Sequence, residues 1–292
     1  MIINYEFKDD VHKNIVLLDG KRYSDTGMMC GELSNITGID MDTLSMYDDW
    51  YILDDGYYYF KSCFVFEELF MSELAMECNV KCVSFGLAKN TVSYKYPTIG
   101  VISKLYRTKE KEYFYYTEFC KKYFGEYISD FDKYISMSMN AFGEDKTNKL
   151  IDDIYGMIAF DMFTGQRDRG EHNFMFECDS DGVRLAPLCD NGLVFDYSYD
   201  YVCPFGDYCL FETDIYTTYR KSLIEIFKCE KMLYEKLYEK FDRLLDIDIN
   251  EVFKRTLDKY MIVMGIGSRN KILRYMDGKK KAIDATLKYS RR

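Results

Sequence analysis

The sequence predicts an α+β fold in two parts, a small β-rich portion followed by a larger helical one. Three observations carry that reading. Through the first hundred residues, short aromatic and β-branched runs are broken by Gly and Asp. A Lys-ended run of this kind leads into a single stretch with helical spacing. After about Tyr106, nearly every apolar pattern repeats at three or four residues. The change of character lies near Ser103–Arg107 and divides the 292 residues into 1–104 and 105–292.

The elements follow in order. "NIVLLDG" reads as a strand entering a Gly turn. "WYILDDGYYYFKS" reads as a hairpin, with an Asp-Gly turn between two aromatic runs. In "FEELFMSELAMEC", Phe66, Leu69, Phe70 and Leu74 fall at helical spacing, which predicts an amphipathic helix. "KCVSFGLAK" and "TIGVISKLY" read as two further strands. Beyond the boundary, "KEKEYFYYTEFCKKYF", "DFDKYISMSM" and "NKLIDDIYGMIAFDMF" all read as helices, the last with Thr147 as its N-cap. Two short strands, "FMFE" and "RLAPL", are joined by the Asp-Ser-Asp-Gly turn at 179–182. From Tyr216 to the end the pattern is helical, with a Gly-rich break at 265–268.

Composition limits the function. Hydrophobic residues make up 48%, with 28 Tyr and 21 Phe, enough for sizeable cores. A net charge of −10 argues against a broad basic face for nucleic acid and against an anionic membrane surface. A cation can still bridge such a chain to nucleotide phosphates. Ten Cys occur without a CxxC pair, and the start "MIINYEFKDD" lacks an apolar signal region, so a reduced cytoplasm is expected. No apolar run approaches the ~18 residues of a membrane span.

The chemistry concentrates in "DRGEHN", residues 168 to 173, between an apolar helix and a short hairpin. Asp168 and Asn173 are five apart, and Asp190 follows Asn173 by seventeen, just beyond the hairpin. A hairpin returns its ends to one place, so these three side chains can converge. Asn173 and Asp190 are hard oxygen donors suited to Mg²⁺. Asp168 is then free to accept a proton from an attacking hydroxyl, which is the remaining requirement of phosphoryl transfer. That reaction also asks for a cation on the phosphates. Lys61 closes a strand, and the next helix carries Glu67, Glu68 and Glu73. Glu68 is the first choice to hold Lys61, and Glu73 the second. Taken singly, DxxxxN, a strand-end Lys and Asp-Asn-Gly are ordinary surface features; their order along one chain is what points to phosphoryl transfer.

The block "YGMIAFDMFTGQRDRGEHNFMFECDSDGVRLAPLCDNGLVFD" resembles the catalytic core of the HipA-like and CtkA-like bacterial Ser/Thr kinases. The family runs helix, Gly-Asn-x-Asp-Arg-His, Asn-Phe, then Pro-Leu-Tyr-Asp. "YYYFKS" and "FEELFMSELAMECNV" are similar to its nucleotide-lysine strand and following helix. The resemblance covers about residues 50–90 and 150–195. It implies a two-lobed, protein-kinase-like fold. It also implies Asp168 as catalytic base, Asn173 and Asp190 as Mg²⁺ ligands, Lys61 on the ATP phosphates and Glu68 behind it. The adenine would lie at the junction formed by Ile102, Ser103 and Leu105. The substrate would be a protein or the chain itself, and an antitoxin-type partner is a further expectation.

The chain also departs from the pattern. Gly170 stands where the family has His two places after the base, and His172 adjoins Asn173. "SDTGMMCG", residues 24–31, is a weak match to a phosphate loop. The full-length HipA toxin has an extra N-terminal portion for which 292 residues leave little room. Arg167 precedes the base and, as in many kinases, offers a partner for a phosphate on the segment that holds Ser198. Two alternatives stay open: a small-molecule kinase, weakened by Gln166 where those enzymes place His, and a nucleotide-binding pseudokinase.

Overall fold

A computed structural model of the chain describes residues 3–8, 15–18, 49–53, 56–91, 98–108, 110–166, 169–170, 173–192, 194–195 and 231–290. Within them the fold is mixed α+β, with seven helices and three sheets. The largest sheet has five strands in the order β2-β5-β6-β4-β3. These are β2 (Val16–Leu18), β3 (Asp49–Leu53), β4 (Gly56–Lys61), β5 (Gly86–Asn90) and β6 (Thr98–Lys104). All pairs are antiparallel except β2 with β5. The predicted hairpin is β3–β4, with Leu53 opposite Gly56 and Trp50 opposite Tyr59.

Alternation sorts this sheet into two faces. Leu87 and Val101 join the main core with helix α1 (Val65–Glu77). Their neighbours Ala88 and Ile102 point the other way and gather with Phe60 and Leu18 in a separate small cluster. Lys61 is the register partner of Val101, so it stands on the α1 side. Gly100 sits beside this pair because a Cβ there would collide with the Lys61 carbonyl oxygen and the Phe60 ring.

Helix α1 has the predicted span but not the predicted amphipathic character. Every residue from Val65 to Ala75 is buried, including Glu67, Glu68, Ser72 and Glu73. Two of these acids have close donors there: Glu68 is held by Lys61, and Glu73 by groups of the C-terminal part. Glu73 accepts from the Tyr260 hydroxyl at 2.9 Å and from Lys259 Nζ at 2.6 Å. Both donors come from the C-terminal end of helix α6 (Ile249–Lys259) and its cap.

Three readings of the second part are corrected. "KEKEYFYYTEFCKKYF" is not one helix: β7 (Glu112–Tyr115) precedes α2 (Tyr116–Phe124). Tyr113 and Tyr115 pair with Glu177 and Met175 of β8 (Met175–Asp179), so aromatic β-propensity and cross-strand pairing override the helical spacing. The long helix α4 (Glu144–Thr164) starts after Gly143, four residues before Thr147, whose buried hydroxyl has no hydrogen-bond partner among the described residues. Finally, the C-terminal region holds a strand, β10 (Ile262–Met264), paired antiparallel with β1 (Tyr5–Phe7). A three-residue strand carries too little pattern to be seen without its partner.

Residues 216–230 of the helical C-terminal reading lie outside the described residues, and the Gly-rich stretch 265–268 falls at the start of a helix (Ile266–Ser290); the remaining elements match the reading. α3 (Phe131–Phe142) is capped by Asp130, which accepts from the Lys133 amide. β8 and β9 (Gly182–Leu185) form the predicted hairpin, and Asp179 Oδ1 accepts from the amides of Asp181 and Gly182 in its turn. Helices α5 (Lys231–Asp246) and α7 (Ile266–Ser290) pack around α4. One buried apolar cluster runs from Val65 in α1 to Leu287 in α7.

Candidate active site

Lys61 ends β4 with its side chain 11% exposed. Its Nζ donates to Glu68 Oε1 at 2.7 Å and to Asp190 Oδ1 at 2.5 Å. The ring of Phe64 lies 5.6 Å from the same nitrogen. Glu68 is fully buried, and its other oxygen accepts from the Asn191 amide at 3.1 Å. A strand, a helix and the segment after the β8–β9 hairpin therefore meet at one carboxylate and one ammonium. Of the three candidate acids on α1, only Glu68 holds Lys61 among the described contacts; Glu73 is committed to α6.

Electrostatics follow from burial. Burial pulls the Lys61 pKa down, but the carboxylates of Glu68 and Asp190 outweigh it, and the net shift is upward. Burial pushes Glu68 up from its ordinary range, against the opposing effect of Lys61. Lys61 stays an ammonium throughout the neutral range.

The Asp190-Asn191-Gly192 triplet has three separate tasks. Asp190 adopts a left-handed conformation, φ 52°, which Asp tolerates better than most residues. Gln166 Nε2 donates to its carbonyl at 2.9 Å, and the Asp190 side chain is 45% exposed. Asn191 is buried, and its Nδ2 donates to Cys82 Sγ at 3.2 Å. Gly192 is required because a Cβ there would stand 2.6 Å from the Phe64 Cβ. Upstream, the amide of Val83 donates to the Leu188 carbonyl at 2.8 Å, and the amide of Leu188 to the Lys81 carbonyl at 2.9 Å. Those bonds fix this segment against the turn that follows α1.

Arg169 is the residue that sequence reasoning missed. It is 3% exposed. It forms a two-point pair with Asp161 of α4, from Nε at 2.9 Å and Nη2 at 3.1 Å. Nη1 donates to the Asn173 carbonyl at 2.7 Å and to the Cys189 carbonyl at 2.9 Å. Nη2 also donates to Asn191 Oδ1 at 2.6 Å. One nitrogen thus touches the main chain of Asn173 and of the residue before Asp190, which brings the two predicted metal-ligand positions together. The signal was present: an Arg flanking the predicted base, and an Asp eight residues earlier on an apolar helix.

Asp168 itself lies outside the described residues, as do Arg167, His172, Ser198 and the stretch 24–31. Ile102 and Ser103 are buried near the end of β6, with the Ser103 hydroxyl donating to the Lys104 carbonyl at 3.3 Å. Leu105 is half-buried just past the strand. The donor set suits Mg²⁺: an exposed carboxylate, Asp190, and an amide, Asn173, both hard oxygen ligands. Glu68, Asp161 and Asp190 outnumber Lys61 and Arg169 by one charge.

A strand lysine held by a buried helix glutamate and by an aspartate beyond the β8–β9 hairpin sits here in a mixed α+β frame. The Helicobacter pylori proinflammatory kinase CtkA shares that fold, with a TM-score of 0.63, 15% identity, and coverage of 83% of this chain and 90% of its own. The Shewanella oneidensis MR-1 complex of HipA, HipB and operator DNA, a toxin–antitoxin system, gives a TM-score of 0.49 at 12% identity, over 80% of this chain and 60% of the other. No protein-family model matches the chain, and no curated protein does. The likeness to CtkA shows a kinase-like fold, at an identity too low for sequence comparison. Among the described residues, no helix is long and apolar enough to cross a membrane.

Proposed function

We propose that this chain is an ATP- and Mg²⁺-dependent phosphotransferase, a cytoplasmic Ser/Thr protein kinase of the HipA/CtkA type that phosphorylates a protein or itself. The observation that carries the reading is the junction of Lys61, Glu68 and Asp190, drawn from three separate elements. In this reading residues 1–104 and 105–292 form two lobes, and the adenine lies against Ile102, Ser103 and Leu105. Lys61 binds the nucleotide phosphates through Nζ, and Glu68 keeps that nitrogen charged and in place. Asn173 and Asp190 would hold Mg²⁺, which supplies charge neutralisation on the transferring phosphoryl group. Asp168 accepts the proton of the attacking hydroxyl at a carboxylate oxygen. An antitoxin-type partner belongs to this proposal as an expectation of the family alone.

The test is transfer of labelled phosphate from ATP with Mg²⁺, on the protein alone and in a cell lysate. Wild type is compared with Asp168→Ala and Asp190→Ala. Label should enter protein, and both substitutions should abolish it. Transfer only to an added small alcohol would replace the protein-kinase reading by a small-molecule kinase. ATP binding without any transfer would favour a pseudokinase.

A further inference from the structure

A guanidinium carries five N–H donors in a rigid plane. The five bonds of Arg169 use all five, and their acceptors lie on three segments: helix α4, the loop ending at Asn173, and the segment entering Asp190. Asp161 neutralises its charge, so Arg169 offers little to a phosphate. A buried ion pair is weak as a stabilising device, because desolvation offsets most of its attraction. Its distinctive contribution here is geometric, since two of the acceptors are main-chain carbonyls beside the proposed metal ligands.

We infer that Arg169 is a positioning residue, a brace that sets the distance between Asn173 and Asp190. The inference rests on the phosphotransferase reading for its consequence, but not for its geometry. Asn191 extends the brace: it accepts from Arg169, and its amide donates to the same Glu68 that holds Lys61. Helix α4, the metal-ligand segment and the phosphate-binding pair are thereby one connected network. Lysine cannot replace the arginine, because three donors on one point cannot reach five acceptors in a plane.

Arg169→Lys and Asn191→Leu test this, the second leaving the Arg169–Asp161 pair intact. Hydrogen exchange is measured on the free proteins at the amides of Asn173 and Asn191. Calorimetry then measures binding of a non-hydrolysable ATP analogue with and without Mg²⁺. Arg169→Lys should lose protection at both amides. The gain in nucleotide affinity that Mg²⁺ confers should fall by about 10–100-fold, as for other residues that orient metal ligands. Affinity without Mg²⁺, carried by Lys61, should fall by a clearly smaller factor, since only the Asn191–Glu68 bond links the brace to that side chain. Asn191→Leu should move the same way by a smaller factor, and it decides the matter if Arg169→Lys does not fold. Unchanged protection would overturn the brace. So would equal losses with and without Mg²⁺, which mark general loosening. If wild-type nucleotide binding ignores Mg²⁺, the phosphotransferase reading fails, and hydrogen exchange alone judges the brace.

Discussion

At the scale of single residues, Lys61 carries the heaviest electrostatic duty, and its removal has a pH signature. Lys61→Met leaves the fully buried Glu68 without its cation, at a cost of about 3 kcal/mol near neutral pH. Without Lys61, burial raises the Glu68 pKa further. A carboxyl with a raised folded pKa stabilises below its ordinary 4.5 and loses that contribution as pH climbs. The gap between wild type and variant should therefore widen from acid to neutral pH. It should close again above 10.5, the ordinary lysine value, as pH rises toward the raised pKa of Lys61 in wild type. Urea unfolding at about pH 5, 7.5 and 11 reads this directly, and a gap that does not vary with pH would sink the argument. Gly192 gives a steric counterpart. Gly192→Ala would place a Cβ 2.6 Å from Phe64 Cβ, and we expect a loss of about 1–3 kcal/mol together with loss of phosphate transfer. Wild-type stability in that variant would show that the Phe64 contact yields easily.

At the scale of elements, α1 is held by its far end as well as by the site. Glu73 joins it to Lys259 and Tyr260, and the Tyr260 hydroxyl also donates to the Phe85 carbonyl at 3.0 Å. Phe253 of α6 meets Phe66 and Phe70 edge-on, at 5.6 and 5.7 Å. Glu73→Ala should cost about 1–3 kcal/mol in denaturant unfolding. Because Glu68 sits more than a turn away, nucleotide binding by Lys61 should persist at the temperature where the variant is folded. Helix α4 offers a gain instead. Gly156 lies inside it, and a Cβ there meets nothing within 4 Å. Gly156→Ala should stabilise the protein by about 1 kcal/mol. A drop in melting temperature would mean that the space beside Gly156 is needed.

At the scale of the whole molecule, the ends of the chain are tied together. Tyr5 of β1 contacts Phe66 of α1 at 6.1 Å, while β1 itself pairs with β10. Deleting residues 1–8 removes two half-buried aromatic rings and should lower stability by about 2 kcal/mol. The core is continuous from α1 to α7, which argues for one cooperative unit. The single Trp, Trp50, lies on β3 in the five-stranded sheet, whereas helical ellipticity comes mostly from beyond residue 115. Fluorescence and far-UV circular dichroism should therefore report coincident melting curves. Separated curves would show that the two parts unfold independently.

The sequence alone determined the types of the β3–β4 hairpin, α1, α3, α4 and the β8–β9 hairpin. It also pointed to Lys61 with Glu68 and, separately, to Asp190 with Asn173; that Lys61 reaches Asp190 emerged only from the structure. Tertiary structure decided what depends on partners distant in sequence. The aromatic run at 112–115 became a strand because β8 was there to pair with it, and β10 exists through β1. Burial on all sides made α1 an interior helix, with Glu68 and Glu73 sent to different partners. Arg169 acquired its place only when the carbonyls of Asn173 and Cys189 came within reach of one guanidinium. Periodicity records which face of an element is apolar. It does not record which polar atoms meet between residues 20 or 129 positions apart, and those meetings make the site.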